Sequence, residues 1–136
     1  MIALCPSCWR VVPVAADRCP TCRADLRGLD EREYGQKLVG ALDHPDRETV
    51  MRVAAILTAR QDESASPSLI AALKRYWSEP YVAAAIVQAL GQLPGSAARN
   101  AVQEALGHES VIVRAKAELA LHEYGGSRLP ATVGKP

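Results

Sequence analysis

The chain has 136 residues and a formal net charge of +1, with 16 Lys and Arg against 15 Asp and Glu. That length allows one ordinary domain, or one domain plus a short module, and the near-zero charge argues against a polyanion binder or an acidic tail. Phenylalanine is absent and aromatics make up 4% of the chain, while Ala, Leu and Val dominate, a mix that favours packed helices over a β-sandwich. The opening MIALCPSC lacks a basic n-region and an apolar h-region, so no signal peptide is expected. No run of eighteen apolar residues occurs, so no membrane span is expected either. Cytoplasmic location is the default expectation, and thiols kept reduced there weigh against disulfides.

Residues 1–27 hold all four cysteines, in two C-P-x-C pairs: Cys5 with Cys8, and Cys19 with Cys22. A Cys-x2-Cys turn aims two thiolates at one point, and two such turns complete the tetrahedral shell of zinc at Zn–S distances of about 2.3 Å. The ten residues between the pairs, WRVVPVAADR, suit a β-hairpin that must be minimal at this linker length. A module of about 25 residues has too little core to fold without a staple. A closed four-thiolate shell leaves no open coordination position, so the site is expected to be structural and not catalytic. No Ser/His/Asp triad, glycine-rich phosphate loop or carboxylate pair stands out, so the protein is expected not to be an enzyme. A reversible redox switch that releases zinc, a rubredoxin-like iron site and plain disulfides are the alternatives.

The stretch CPSCWRVVPVAADRCPTC resembles a zinc ribbon, whose usual form is C-P-x-C-G, an apolar strand and a second C-P-x-C-G. RCPTCRADL also resembles the C-P-x-C-G-x-x-L ending of short bacterial ribbons. By that resemblance Cys5, Cys8, Cys19 and Cys22 are the ligands of one Zn2+. Trp9 and Arg23 stand where the pattern has glycine. That position is often left-handed, where a side chain costs about 1–2 kcal/mol, small against the roughly 10 kcal/mol that coordination supplies. Arg10, Arg18, Arg23 and Arg27 are offset by Asp17, Asp25 and the charge of about −2 on a zinc tetrathiolate. Nucleic-acid binding through the ribbon is therefore the second reading and not the first. Trp9 is expected to cover the zinc knuckle or to pack on the helices.

Residues 29–125 show helical periodicity and internal repetition. Val82, Ile86, Ala89, Leu90 and Leu93 align with Val113, Ala117, Ala120, Leu121 and Tyr124 at an offset of 31 residues, one face of a helix in each. The same offset places Met51-Arg52 under Val113-Arg114, with Thr58 and Asp62 making this copy the weakest. Shorter apolar helices precede each copy, at 33–42, 67–77 and 97–106, where Leu42 and Leu73 keep the offset and Leu106 comes late. Asp30 with Glu33 suggests a capping box. Ser66 before Pro67, Ser78 or Glu79 before Pro80, Ser96 and Ser110 are candidate N-caps. Gly95, Gly107 and Gly125 are candidate left-handed helix ends. Gly35 and Gly40 inside the first helix mark it as the least stable. Alanines 54, 55, 83, 84, 85, 115 and 117 would let helices approach closely.

The outcome is a mainly α chain: a three-repeat α-solenoid of six helices behind a small ribbon, with a disordered tail over 126–136. The pattern V/M-R-x-A-x-A-x-x-A-L after a short polar loop resembles HEAT repeats. It is closest to the short form of about thirty residues found in bacterial proteins and phycobilin lyases, and the TPR and ankyrin patterns are missing. The resemblance implies that arginine after valine bonds an inter-helix acid: Arg52 with Asp43 or Asp46, and Arg114 with Glu109. His44 and His108 occupy equivalent loops and are expected to be exposed polar residues too far apart to share a metal; His122 is expected on the surface. Tyr76, Trp77 and Tyr81 form one aromatic cluster, with Trp77 and Tyr81 as candidate partner-binding residues. The expected function is a non-enzymatic protein-interaction scaffold with structural zinc, and the alternatives are nucleic-acid binding or thiol and zinc redox sensing.

Overall fold

The computed structural model describes residues 3–28 and 30–126, and side chains to 122. The tail expected over 126–136 lies outside the described residues from 127 onward. Two short strands, β1 (Ala3–Leu4) and β2 (Val11–Val12), precede six helices: α1 (Glu31–Gly40), α2 (Arg47–Ala59), α3 (Ser66–Arg75), α4 (Pro80–Gly91), α5 (Ser96–Ala105) and α6 (Val111–Gly126). Among the described residues no helix is long and apolar enough to cross a membrane.

The strands are antiparallel, Ala3 opposite Val12 and Leu4 opposite Val11. The hairpin therefore encloses the first cysteine pair and does not lie between the two pairs as expected. The second pair is closed by an isolated antiparallel bridge from Arg18 to Asp25.

Helices α2, α4 and α6 pack side by side in that order, with α3 and α5 packed on each other and against them. One continuous core includes Leu38, Leu42, Val53, Leu57, Leu69, Leu73, Ile86, Leu90, Val102 and Val113. Ala54, Ala83, Ala84 and Ala117 sit in it, whereas Ala55 and Ala115 are exposed. The closest approach joins α4 to α6, where a Cβ added to Gly91 would collide with the Cβ of Ala120.

The 31-residue register holds from α4 to α6: Val82, Ile86 and Ala89, like Val113, Ala117 and Ala120, are buried. It slips by one residue in α2: Val50, Ala54, Leu57 and Thr58 are buried where the register expects Met51, Ala55, Thr58 and Ala59, and Ala55 and Ala59 are exposed. The α2–α3 connection also differs from its counterpart. Residues 60–65, six in all, include a 3-10 turn (Glu63–Ala65), whereas residues 92–95, four in all, join α4 to α5. With the slip in α2, Met51-Arg52 does not share the position of Val113-Arg114.

Arg52 pairs with Glu48 one turn away at 3.0 Å. Asp43 instead takes Arg75 at 2.7 Å, and Asp46 caps α2 and accepts from Thr49 Oγ1. Arg114 donates to the carbonyl oxygens of His108 and Glu109, so it braces the α5–α6 loop through the backbone and not through the Glu109 carboxylate.

Asp30 caps α1 by accepting from the Arg32 N–H, Glu79 precedes Pro80 at the start of α4, and Ser110 accepts from the Ile112 N–H. Ser66 is the first residue of α3, entered through the 3-10 turn that Asp62 caps, and Ser96 opens α5 behind Gly95. The left-handed helix end falls on Gln61 (φ +53) and not on the expected glycines. Gly95 starts α5 at φ +107, Gly107 is not left-handed, and α6 continues through Gly125. Gln61 suits its place because its amide donates to the carbonyls of Thr58 and Gln92, capping the ends of α2 and α4 together.

Long-range side-chain bonds recur near one separation. Gln61 to Gln92 and His108 to Trp77 span 31 residues, Arg47 to Glu79 spans 32, and Tyr76 to Leu42 spans 34. His108 is thus buried, at 2% exposure, and not an exposed loop residue. Its Nε2–H donates to the Trp77 carbonyl at 2.6 Å and its Nδ1 accepts from the Ser110 N–H, the pairing that the Nε2–H tautomer makes. His44 makes the matching bond, accepting from the Asp46 N–H, but is only half-buried. His122 is exposed.

Candidate metal centre

The two C-P-x-C segments are built alike at an offset of 14 residues. In the first, the Cys5 N–H donates to Arg10 O and the Trp9 N–H to Cys5 O; in the second, Cys19 N–H donates to Ala24 O and Arg23 N–H to Cys19 O. The N–H groups of Ser7 and Thr21 point at the sulfurs of Cys5 and Cys19, each at 3.4 Å. Trp9 and Arg23 hold φ of +62° and +67°, so the left-handed turn expected for glycine is kept with side chains in place.

These turns bring the four sulfurs within 4.8 Å of one another. Cys5 and Cys22 sulfurs are 3.6 Å apart, as are those of Cys8 and Cys19. A disulfide needs about 2.05 Å, and the cysteines are free. A tetrahedral zinc tetrathiolate has sulfur–sulfur edges of about 3.8 Å, so the donor set fits a metal ion such as zinc.

The sulfurs are not electrostatically equivalent. Backbone N–H donation, first from Cys22 and then from Thr21, holds the Cys19 thiol down to about 6, against the opposing effect of burial. Loss of hydration pushes the Cys8 thiol up to about 12, with the neighbouring thiols adding to it. A divalent cation would compete with the proton at Cys8 and meet a ready thiolate at Cys19.

The module's own core is small: Cys5, Val12 and Cys19, with Ala3, Cys8, Ala24 and Leu26 against it. Its two halves face different ways. Cys5 and Cys19 are buried and Cys22 is exposed. The first turn docks on the helices: Leu4 belongs to the helical core at 1% exposure, and Trp9 packs against the same core. Tyr34 of α1 supplies the joint, its hydroxyl donating to Leu4 O at 2.8 Å and accepting from Leu4 N–H at 3.0 Å. Arg60 lies over the Tyr34 ring and pairs with Glu31. A cleft of about 410 Å³ remains between module and helices, lined among others by Ala3, Val14, Tyr34 and Ile56.

Sequence reasoning missed Leu4 and Tyr34. The available signal was an apolar residue directly before the first ligand and the lone aromatic of α1. Within the module the Arg27 guanidinium grips Asp25 and holds that carboxyl down to about 2.

The candidate partner-binding residues part company. Trp77 is half-buried, its ring 4.4 Å from the His108 ring, and it walls a cavity of about 510 Å³ with Lys74 and Glu104. Tyr81 stands 71% exposed on α4. Tyr76 is buried, donates to Leu42 O at 2.9 Å and has the Arg47 and Arg75 guanidinium groups 5.0 and 5.3 Å from its ring centroid. No family model, curated protein or solved structure matches the chain.

Proposed function

We propose that the chain is a non-enzymatic protein-interaction scaffold, in which one structural zinc ion staples an N-terminal ribbon onto a three-repeat HEAT-like α-solenoid. The observation that carries the reading is the convergence of four free thiols to within 4.8 Å on two matching turns. Cys5, Cys8, Cys19 and Cys22 would hold the ion, which supplies a cross-link among four thiolates and with it the folding free energy that so small a core lacks. The N–H groups aimed at Cys5 and Cys19 spread their negative charge into the backbone.

Bonds recurring at 31–34 residues between successive hairpins support the repeat reading. Partner contact is assigned to the outward row of the helices, with exposed Tyr81 as its anchor and Trp77 as a half-buried neighbour. The cytoplasm is the compartment that suits four free thiols.

Metal content and partner binding test the two halves separately. Chain purified without chelator should carry one zinc, and a substoichiometric content would remove the staple. Partners recovered with the parent chain should be lost with Tyr81→Ala; the same set from both would remove that surface.

A further inference from the structure

The residues that flank the metal ligands are the ones that hold the first helix. Leu4 precedes Cys5 and Trp9 follows Cys8. Both backbone polar groups of Leu4 end on the Tyr34 hydroxyl, and Trp9 borders a hollow with Lys37, Gly40 and Ala41 at the C-terminal end of α1. Helix α1 has ten residues, contains Gly35 and Gly40, and buries only Gly35 and Leu38. A helix of that length is unstable alone in water, and the interior glycine, Gly35, weakens it further. Its order therefore comes from what it touches: the ribbon on one side, and Arg60 and the α2 face on the other. The remaining helices have their own support, with α4 packed between α2 and α6 and joined to α5.

We propose that occupancy of the four-cysteine site gates the order of α1: when the metal leaves, ribbon and α1 unfold together as one local unit while α2–α6 remain folded. The inference rests on the metal-site reading above. With the first turn released, Leu4 no longer presents a fixed N–H and C=O to Tyr34, and Trp9 loses the left-handed turn that directs its ring. The gate is thus a loss of two anchors from a helix with few others.

Hydrogen exchange of the full chain, read by mass spectrometry, tests this with metal content measured in each sample. On removal of zinc by a chelator, amides of 31–40 should exchange at least about tenfold faster, while those of 82–90 and 113–121 change less than about twofold. Unchanged protection over 31–40 after verified metal loss would overturn the gate, and loss of protection throughout would overturn its locality. A chain that holds no metal and takes up none on zinc addition would overturn the metal-site reading itself, and the gate with it. Tyr34→Phe separates the two: it should retain one zinc yet lose protection over 31–40. Full protection in that variant would rule out the Tyr34 joint.

Discussion

The cysteine module and the helical region solve the same problem by different means. The helices bury a continuous core that runs from Leu38 to Ala120. The module's own core is Cys5, Val12 and Cys19, while its Leu4 is buried in the helical core. At roughly 25 cal/mol per Å² of apolar surface, burial can offset the chain entropy of the helices but not that of a hairpin with two-residue strands. Under the proposed zinc reading the module is held mainly through its sulfurs and the helices through packing. Perturbing one should therefore leave much of the other standing.

The largest expected break in that contrast is Cys19→Ser. It removes one sulfur from the cluster, with on the order of 10 kcal/mol of metal-linked folding free energy at stake. Zinc should be absent from the variant by elemental analysis, while helical circular dichroism falls only by the share of α1. Collapse of the whole helical signal would make the module essential to every hairpin. Next comes Leu90→Ala, which empties a fully buried site in α4 and should cost about 2–5 kcal/mol in denaturant unfolding without loss of zinc. A change below about 0.5 kcal/mol would contradict the core placement.

Gly91→Ala probes the α4–α6 contact from the opposite direction. The added methyl meets Ala120, so a loss of about 1–3 kcal/mol is expected despite the better helix propensity of alanine. A gain in melting temperature would mean that the helices separate easily. The smallest effect belongs to Arg52→Ala. Its bond to Glu48 is exposed, and melting should report a cost of about 0.5 kcal/mol or less. A cost above about 2 kcal/mol would restore to Arg52 the inter-helix role expected from the repeat pattern.

Much of this contrast was legible in the sequence, for physical reasons that differ by region. Two C-P-x-C pairs specify a local turn, and the left-handed residue that the turn demands is present at Trp9 and Arg23 even without glycine. Helical periodicity marked the buried faces of α4 and α6 because apolar spacing there meets little interference. In α2 the same counting lands one residue off the buried face, beside a longer connection whose 3-10 turn no periodicity records. His108 was misread because a loop histidine is usually solvated. Its burial depends on the Trp77 carbonyl 31 residues away, which only the packed hairpins bring near. The docking of the module was invisible for a similar reason: Leu4 lies in a two-residue strand too short to show a pattern, and its partner Tyr34 is a single aromatic on α1.

The proposed metal site consists of four sulfurs, those of Cys5, Cys8, Cys19 and Cys22, around one ion. X-ray absorption at the zinc edge tests it most directly. A single first shell of four sulfurs at about 2.3 Å is expected in the parent chain. A shell containing nitrogen or oxygen, or a chain that takes up no zinc at all, would contradict it.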